Sequence, residues 1–144
     1  ALMARDRGLS PPLAKQILVY PMLHDRTTVP IPALEPFAIW KYEDNITAWT
    51  ALLGDKMGKD DASPYAAPAR AKSVEGLPPT YIEVGELDIF RDEDIAYAAR
   101  IASANISLEL HVHPGLPHAF EIFAPDTEST KRAMADRMRV ILDL

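Results

Sequence analysis

Residues 16–23 (QILVYPML) form an unbroken apolar run of strand length, with Ile17, Val19 and Tyr20 of β-favouring type. A strand without polar alternation suits burial on both faces of a parallel sheet. Pro21 fits the end of such a strand. A second β-type run, residues 80–84 (TYIEV), stops at Gly85-Glu86-Leu87-Asp88. A third, residues 107–113, alternates: Leu108, Leu110 and Val112 make one face, and Ser107, Glu109, His111 and His113 the other. Such half-buried alternation predicts a last, edge strand.

Helical and loop-like stretches separate these runs. Residues 1–7 (ALMARDR) read as the tail of a helix, with Gly8 as its C-cap and Pro11-Pro12 blocking continuation. A helix without its first turn, in a chain that does not start with methionine, leads us to expect sequence upstream. Residues 29–36 hold three prolines and cannot be regular structure. Residues 37–53 read as helical with a cap or breaker near Asp44-Asn45, a core stripe of Ile46, Trp49, Leu52 and Leu53, and a stop at Gly54. Residues 55–79, with Pro64, Pro68, Pro78 and Pro79, read as a connection. A helix starts near Asp92, with Asp92, Glu93 and Asp94 at its positive end. Its expected inner stripe is Ile95, Ala98, Ala99 and Ala102, and Asn105 caps it. A last helix starts at Asp126 or Thr127 and turns Met134, Met138 and Ile141 inward. Strand, helix, strand, helix predicts an α/β fold, a three-layer sandwich around a parallel sheet with right-handed crossovers.

Composition narrows the classes. The chain has 144 residues, enough for one domain with a core, and 48% are apolar, which excludes a disordered chain. Its net charge is -6 and no Lys/Arg cluster stands out, so neither nucleic acid nor a membrane surface is an expected partner. There are no cysteines, which excludes a disulfide framework and thiolate chemistry and fits a cytoplasmic setting. No apolar run reaches transmembrane length, and no signal peptide is visible at the start.

The candidate chemistry lies between residues 80 and 120. Asp88 follows the second strand and His118 follows the third, each just beyond a carboxyl end. Open parallel α/β sheets place ligands and chemistry there. An aspartate that orients a histidine is two thirds of a nucleophile–base–acid relay. The plainer readings are a helix-start acid and a solvated loop histidine. Asp92, Glu93 and Asp94 already serve the helix start, which favours Asp88 at the strand end; Asp92, one helical turn away, is its main rival. His111, His113 and His118 raise a metal site, since His-x-His on a strand points both rings to one face. Simple alternation explains the first two, so neither metal nor cofactor is expected. Leu87, Phe90, Leu116 and Phe120 flank the pair and either line a substrate pocket or pack.

Three segments carry a family resemblance: Leu77-Pro78-Pro79-Thr80, residues 86–93 (ELDIFRDE), and His118-Ala119-Phe120. They resemble the α/β-hydrolase fold, in particular the hormone-sensitive-lipase-like esterases. There the acid opens Asp-Pro-Leu-x-Asp-Glu and the histidine opens His-Gly-Phe. Asp88 and His118 fall on those positions, 30 residues apart, with Ile89 in place of the proline and Ala119 in place of the glycine. The family also needs Gly-x-Ser-x-Gly and a glycine-rich oxyanion loop. Neither occurs here: Ser10, Ser63, Ser73, Ser103, Ser107 and Ser129 all lack the flanking glycines. The resemblance therefore implies the C-terminal half of one α/β-hydrolase domain, residues 1–144, with nucleophile and oxyanion donors upstream. It implies a carboxylesterase or lipase for small esters of short to medium acyl chains, in which this chain supplies Asp88 and His118 and is inactive alone. Its implied partners are the ester, the missing N-terminal half and, through the edge strand, a second copy in a homodimer. A non-catalytic small-molecule binding relative and a metal-dependent hydrolase using the histidines remain the readings from other classes.

Overall fold

The computed structural model describes residues 1–143. In chain order the elements are α1 (Leu2–Asp6), β1 (Gln16–Val19), α2 (Tyr42–Leu53), β2 (Thr80–Gly85), α3 (Arg91–Ser103), β3 (Leu108–His113), α4 (Phe120–Phe123) and α5 (Glu128–Leu142). The strands form one parallel sheet in the order β1-β2-β3. Gln16 pairs with Thr80, Thr80 with Leu108, and Gly85 with His113. All three carboxyl ends therefore lie along one edge of the fold, and the turns after β2 and β3 are neighbours.

Helices cover both faces, which gives the three layers. Ile82 of the wholly buried β2 packs with Leu2 of α1 and with Tyr97, Ala98 and Ile101 of α3. On the other face Arg137 of α5 reaches Glu83 of β2, and Arg139 reaches Glu109 of β3. β3 is an edge of the sheet, with Glu109 and His111 on the α5 side as the alternation predicts. β1 is shorter than its apolar run. It stops at Val19 because Tyr20 takes a left-handed backbone, φ 36°, and Pro21 has no N–H to donate. Its four residues are only half-buried.

Three helices turn a partly different face inward from the one expected, although Trp49 and Ala98 of the expected stripes are buried. In α2 the buried residues are Tyr42, Asn45 and Trp49, while Ile46 and Leu52 are exposed. This helix starts at Tyr42, where Asp44 accepts a hydrogen bond from the Lys41 amide at 3.1 Å, and Asn45 points inward because its Nδ2 donates to the Thr27 carbonyl at 2.7 Å. In α3 Asp94, Tyr97, Ala98 and Ile101 face the sheet, and Ile95, Ala99 and Ala102 do not. In α5 Thr130, Ala133 and Val140 are buried with Arg137 among them, while Met138 and Ile141 are exposed. In each case a polar residue occupies the inner face, and in α3 and α5 the stripe drawn through apolar positions alone is displaced by one residue, about 100°. Helix ends match their signals: Thr127 caps α5, its Oγ1 accepting from the Thr130 amide at 3.3 Å, and Asn105 after α3 is left-handed at φ 56°.

Asp25 ties down the long connection between α2 and β2. Its side chain is fully buried and accepts from Arg70 Nε at 2.7 Å and from the Gly58 amide at 2.6 Å. Burial opposes its charge, but the Arg70 guanidinium and the amide outweigh it and hold the carboxyl below its ordinary range. Among the described residues, no helix is long and apolar enough to cross a membrane.

Candidate active site

Backbone hydrogen bonds sew the turns after β2 and β3 together. The Glu86 amide donates to the His113 carbonyl at 2.9 Å, and the Leu87 amide to the Leu116 carbonyl at 3.0 Å. The Gly115 amide donates to Glu86 Oε2 at 2.7 Å. This close approach requires glycine at the end of β2: a Cβ on Gly85 would sit 2.2 Å from the Leu116 carbonyl oxygen and 2.9 Å from that of Pro117.

The joined turns bring an acid and a histidine into contact. Asp88 is held by its own turn: its amide donates to the Gly85 carbonyl at 3.2 Å, and its Oδ1 accepts from the Phe90 amide at 3.0 Å. Its Oδ2 lies 2.7 Å from His118 Nδ1. The Asp88 side chain is fully buried and that of His118 is 17% exposed. A carboxylate facing Nδ1 sets that nitrogen as the N–H donor and leaves Nε2 to accept a proton. Asp92, the rival acid, pairs instead with Arg91 Nε at 2.7 Å and is largely exposed. After His118 the chain turns sharply into α4 through Ala119, which is left-handed at φ 54°.

Aromatic rings surround the imidazole. Tyr20 packs edge-on with its centroid at 4.4 Å, Phe90 at 5.6 Å, and Trp40 lies tilted at 6.1 Å. Of the four expected pocket residues, Phe90 and Phe120 are buried, Phe90 against His118 and Phe120 against His113 at 5.5 Å. Leu87 and Leu116 are half-buried on the joined turns.

The other histidines take separate places. His111 and His113 stack at 5.7 Å on the α5 side of the sheet. His111 Nε2 lies 2.7 Å from Glu109 Oε1, and Glu109, His111 and Asp136 bring possible ligand atoms within 4.8 Å of one another. Arg139 already neutralises this group, bonding Glu109 and lying 3.4 Å from Asp136. A divalent cation there would have to displace a guanidinium.

Several residues near the site escaped the sequence reading. Glu93 accepts from the Leu23 and His24 amides at 2.6 and 3.0 Å and from the Thr27 hydroxyl, pinning the loop after β1 to α3. Burial pushes its carboxyl up to about 7, against those hydrogen bonds. It was hidden in an acidic run that reads as helix-start charge. Tyr20 and the Glu83–Arg137–Glu121 cluster also went unnoticed, since contacts between different elements, 16 to 101 residues apart, leave no local pattern. A tyrosine immediately before a strand-ending proline was the one available signal.

A family model described as alpha/beta hydrolase fold matches residues 1–122. Esterase LipI of Mycobacterium tuberculosis is 32% identical, covering 99% of this chain and 45% of LipI. Carboxylesterase NlhH of the same organism is 31% identical, covering 98% of this chain and 46% of NlhH. The chain thus spans about half the length of the curated relatives it matches. Among solved structures, a bacterial heroin esterase superposes with TM-score 0.82 at 37% identity, over 94% of this chain and 43% of that one. Esterase LipW of Mycobacterium marinum gives TM-score 0.82 at 33% identity, over 97% and 43%. With the parallel sheet and these matches in hand, the chain belongs to the alpha/beta hydrolase fold family.

Proposed function

We propose that this chain is the C-terminal part of a single carboxylesterase domain and supplies its acid, Asp88, and its base, His118. The supporting observation is the 2.7 Å contact between Asp88 Oδ2 and His118 Nδ1 at the carboxyl ends of a parallel sheet, in a chain whose relatives are named esterases. The nucleophile is a serine on the part of the domain outside residues 1–144. His118 Nε2 takes the serine proton as the serine oxygen attacks the ester carbonyl. The tetrahedral intermediate collapses, the ester C–O bond breaks, and the same proton passes to the leaving alkoxide. Water then repeats the sequence on the acyl-serine, releasing the acid and restoring the serine. Asp88 holds the ring in the productive tautomer and offsets the positive charge that His118 gains in each half-reaction.

The substrates are small esters of short to medium acyl chains, with Leu87 and Leu116 at the mouth of the site and Phe90 and Phe120 behind it. The open edge of β1 receives the strand that precedes the serine. The free edge of β3 is the homodimer contact. The lack of cysteine suits a reducing compartment such as the cytoplasm.

The test compares residues 1–144 alone with the complete domain, using a p-nitrophenyl ester and a serine-reactive organophosphate. The chain alone should show neither turnover nor stoichiometric labelling, and the complete domain should show both. In the complete domain His118→Ala should lower turnover by about 10³-fold or more. Near-normal turnover in that variant removes His118 from the mechanism.

A further inference from the structure

Tyr20 occupies a backbone conformation that large side chains rarely adopt, φ 36°, at the carboxyl end of β1. Such strain persists only where the surroundings hold it, and here they do so at both ends of the residue. The Tyr20 amide donates to the Glu83 carbonyl at 2.6 Å, and its hydroxyl donates to Glu121 Oε1 at 2.8 Å. Glu121 Oε1 also accepts from Arg137 Nη1 at 3.0 Å. Arg137 Nε donates to Glu83 Oε1 at 2.8 Å, and the Tyr81 hydroxyl donates to Glu83 Oε2 at 2.5 Å. Glu83 is fully buried, and Arg137 and Glu121 are partly buried. Glu121 of α4 therefore holds the tyrosine hydroxyl and is itself tied through Arg137 of α5 to Glu83 of β2, and the ring that carries the hydroxyl packs against His118.

The Asp88 contact fixes one ring nitrogen of His118 but leaves the imidazole free to swing about the Nδ1···Oδ2 line. Any such swing carries Nε2 away from its target. A neighbouring ring at 4.4 Å, itself immobilised, removes that freedom. We propose that Tyr20 is a positioning residue for His118, anchored through its hydroxyl by the buried Glu83–Arg137–Glu121 network. The proposal rests on the reading of His118 as the base.

The network is suited to constant duty. Burial opposes the charges on Glu83 and Glu121, yet the hydrogen bonds and the Arg137 cation hold both carboxyls below their ordinary range. Burial and the Glu121 contact push the Tyr20 phenol up to about 12.

The test uses the complete domain and three variants: Tyr20→Phe, Glu121→Gln and the double variant. Tyr20→Phe keeps the ring and loses the anchor. It should lower kcat about tenfold with KM within about twofold, because a base swung slightly off line slows proton transfer without changing ester binding. Glu121→Gln should lower kcat in the same direction, and the double variant should be no slower than the worse single one, as expected for residues on one path. A loss of global stability would instead lower the fraction of active enzyme without this non-additivity. Active-site titration with the organophosphate counts that fraction, so kcat is read per competent site, and Glu121→Gln carries the test if Tyr20→Phe folds poorly. Unchanged kcat in Tyr20→Phe, or strictly multiplicative losses in the double variant, overturns the positioning role. His118→Ala in parallel separates the two ideas: if it stays active, the base assignment fails, and if it is dead while Tyr20→Phe is normal, only the positioning role fails.

Discussion

Gly85 and Leu116 stand so close that a methyl group on Gly85 would lie 2.2 Å from the Leu116 carbonyl oxygen. The obstructing atom is backbone, so no rotamer change can relieve the clash. Gly85→Ala must push the turn that carries His118 away from the turn that carries Asp88. The expected cost is about 1–3 kcal/mol of stability. Turnover of the complete domain should fall by about a hundredfold through misplacement alone. Thermal melting and ester turnover, measured on the same sample, check both; wild-type turnover would show that the turns can part without consequence.

The two acids at the start of α3 should separate cleanly. Asp88→Asn keeps the shape but permits the wrong imidazole tautomer, at a cost of up to about 10⁴ in kcat. Asp92 pairs with Arg91 and is largely exposed. Asp92→Asn should therefore cost at most about 1 kcal/mol of helix-start stability and leave turnover within a few fold. Greater damage from the Asp92 variant would reassign the acid.

Asp94 should make stability depend on pH. It is fully buried, and neither carboxyl oxygen has a hydrogen-bond partner among the described residues. Burial, with the nearby charges of Glu93 and Asp88, pushes it up to about 10 from 3.8. Between those values the folded chain holds a proton that the unfolded chain has released, so stability falls as pH rises, by at most about 1.4 kcal/mol per pH unit. Glu93, pushed up to about 7 from 4.5, adds to the fall over its own lower range. Asp94→Asn keeps the shape and cannot ionise. It should raise the melting temperature at about pH 8 and flatten its decline above neutrality. An unchanged decline in this variant would show that Asp94 is not the responsible group.

Ala119 bears a strain that glycine would relieve. In the left-handed region at φ 54° an alanine costs about 1 kcal/mol. Glycine removes that cost but adds freedom to the unfolded chain, so Ala119→Gly should change stability by about 1 kcal/mol or less, with activity retained. Ala119→Val, branched at Cβ, should destabilise by more than about 1 kcal/mol and slow turnover. Urea unfolding of the three proteins gives the order.

Strand identity and the acid–histidine pair were legible because they sit in local signals: apolar runs, strand-ending glycine, and two short motifs. The position of β3 at the sheet edge followed from strict alternation between Leu108 and His113. Helix faces were not legible where Asn45, Asp94 and Arg137 turn inward, because binary patterning assigns such residues to solvent. Their partners, or for Asp94 the lack of any among the described residues, are tertiary facts. The premature end of β1 was half visible in Pro21, but the bend at Tyr20 depends on Glu121, about a hundred residues away in sequence.

The joined turns after β2 and β3 also bear on how this site could be changed. Leu87 and Leu116 meet through main-chain atoms, and Glu86 takes its bond to His113 by its amide. Apart from Gly85 and the Glu86 carboxylate, the scaffold that aligns the pair asks little of the side chains mounted on it. Positions 87 and 116 are thus adjustable fittings on a rigid frame. Under the proposed reading, saturation libraries there would vary what the site admits while leaving the Asp88–His118 contact in place, which would make this seam a natural starting point for directed evolution of selectivity.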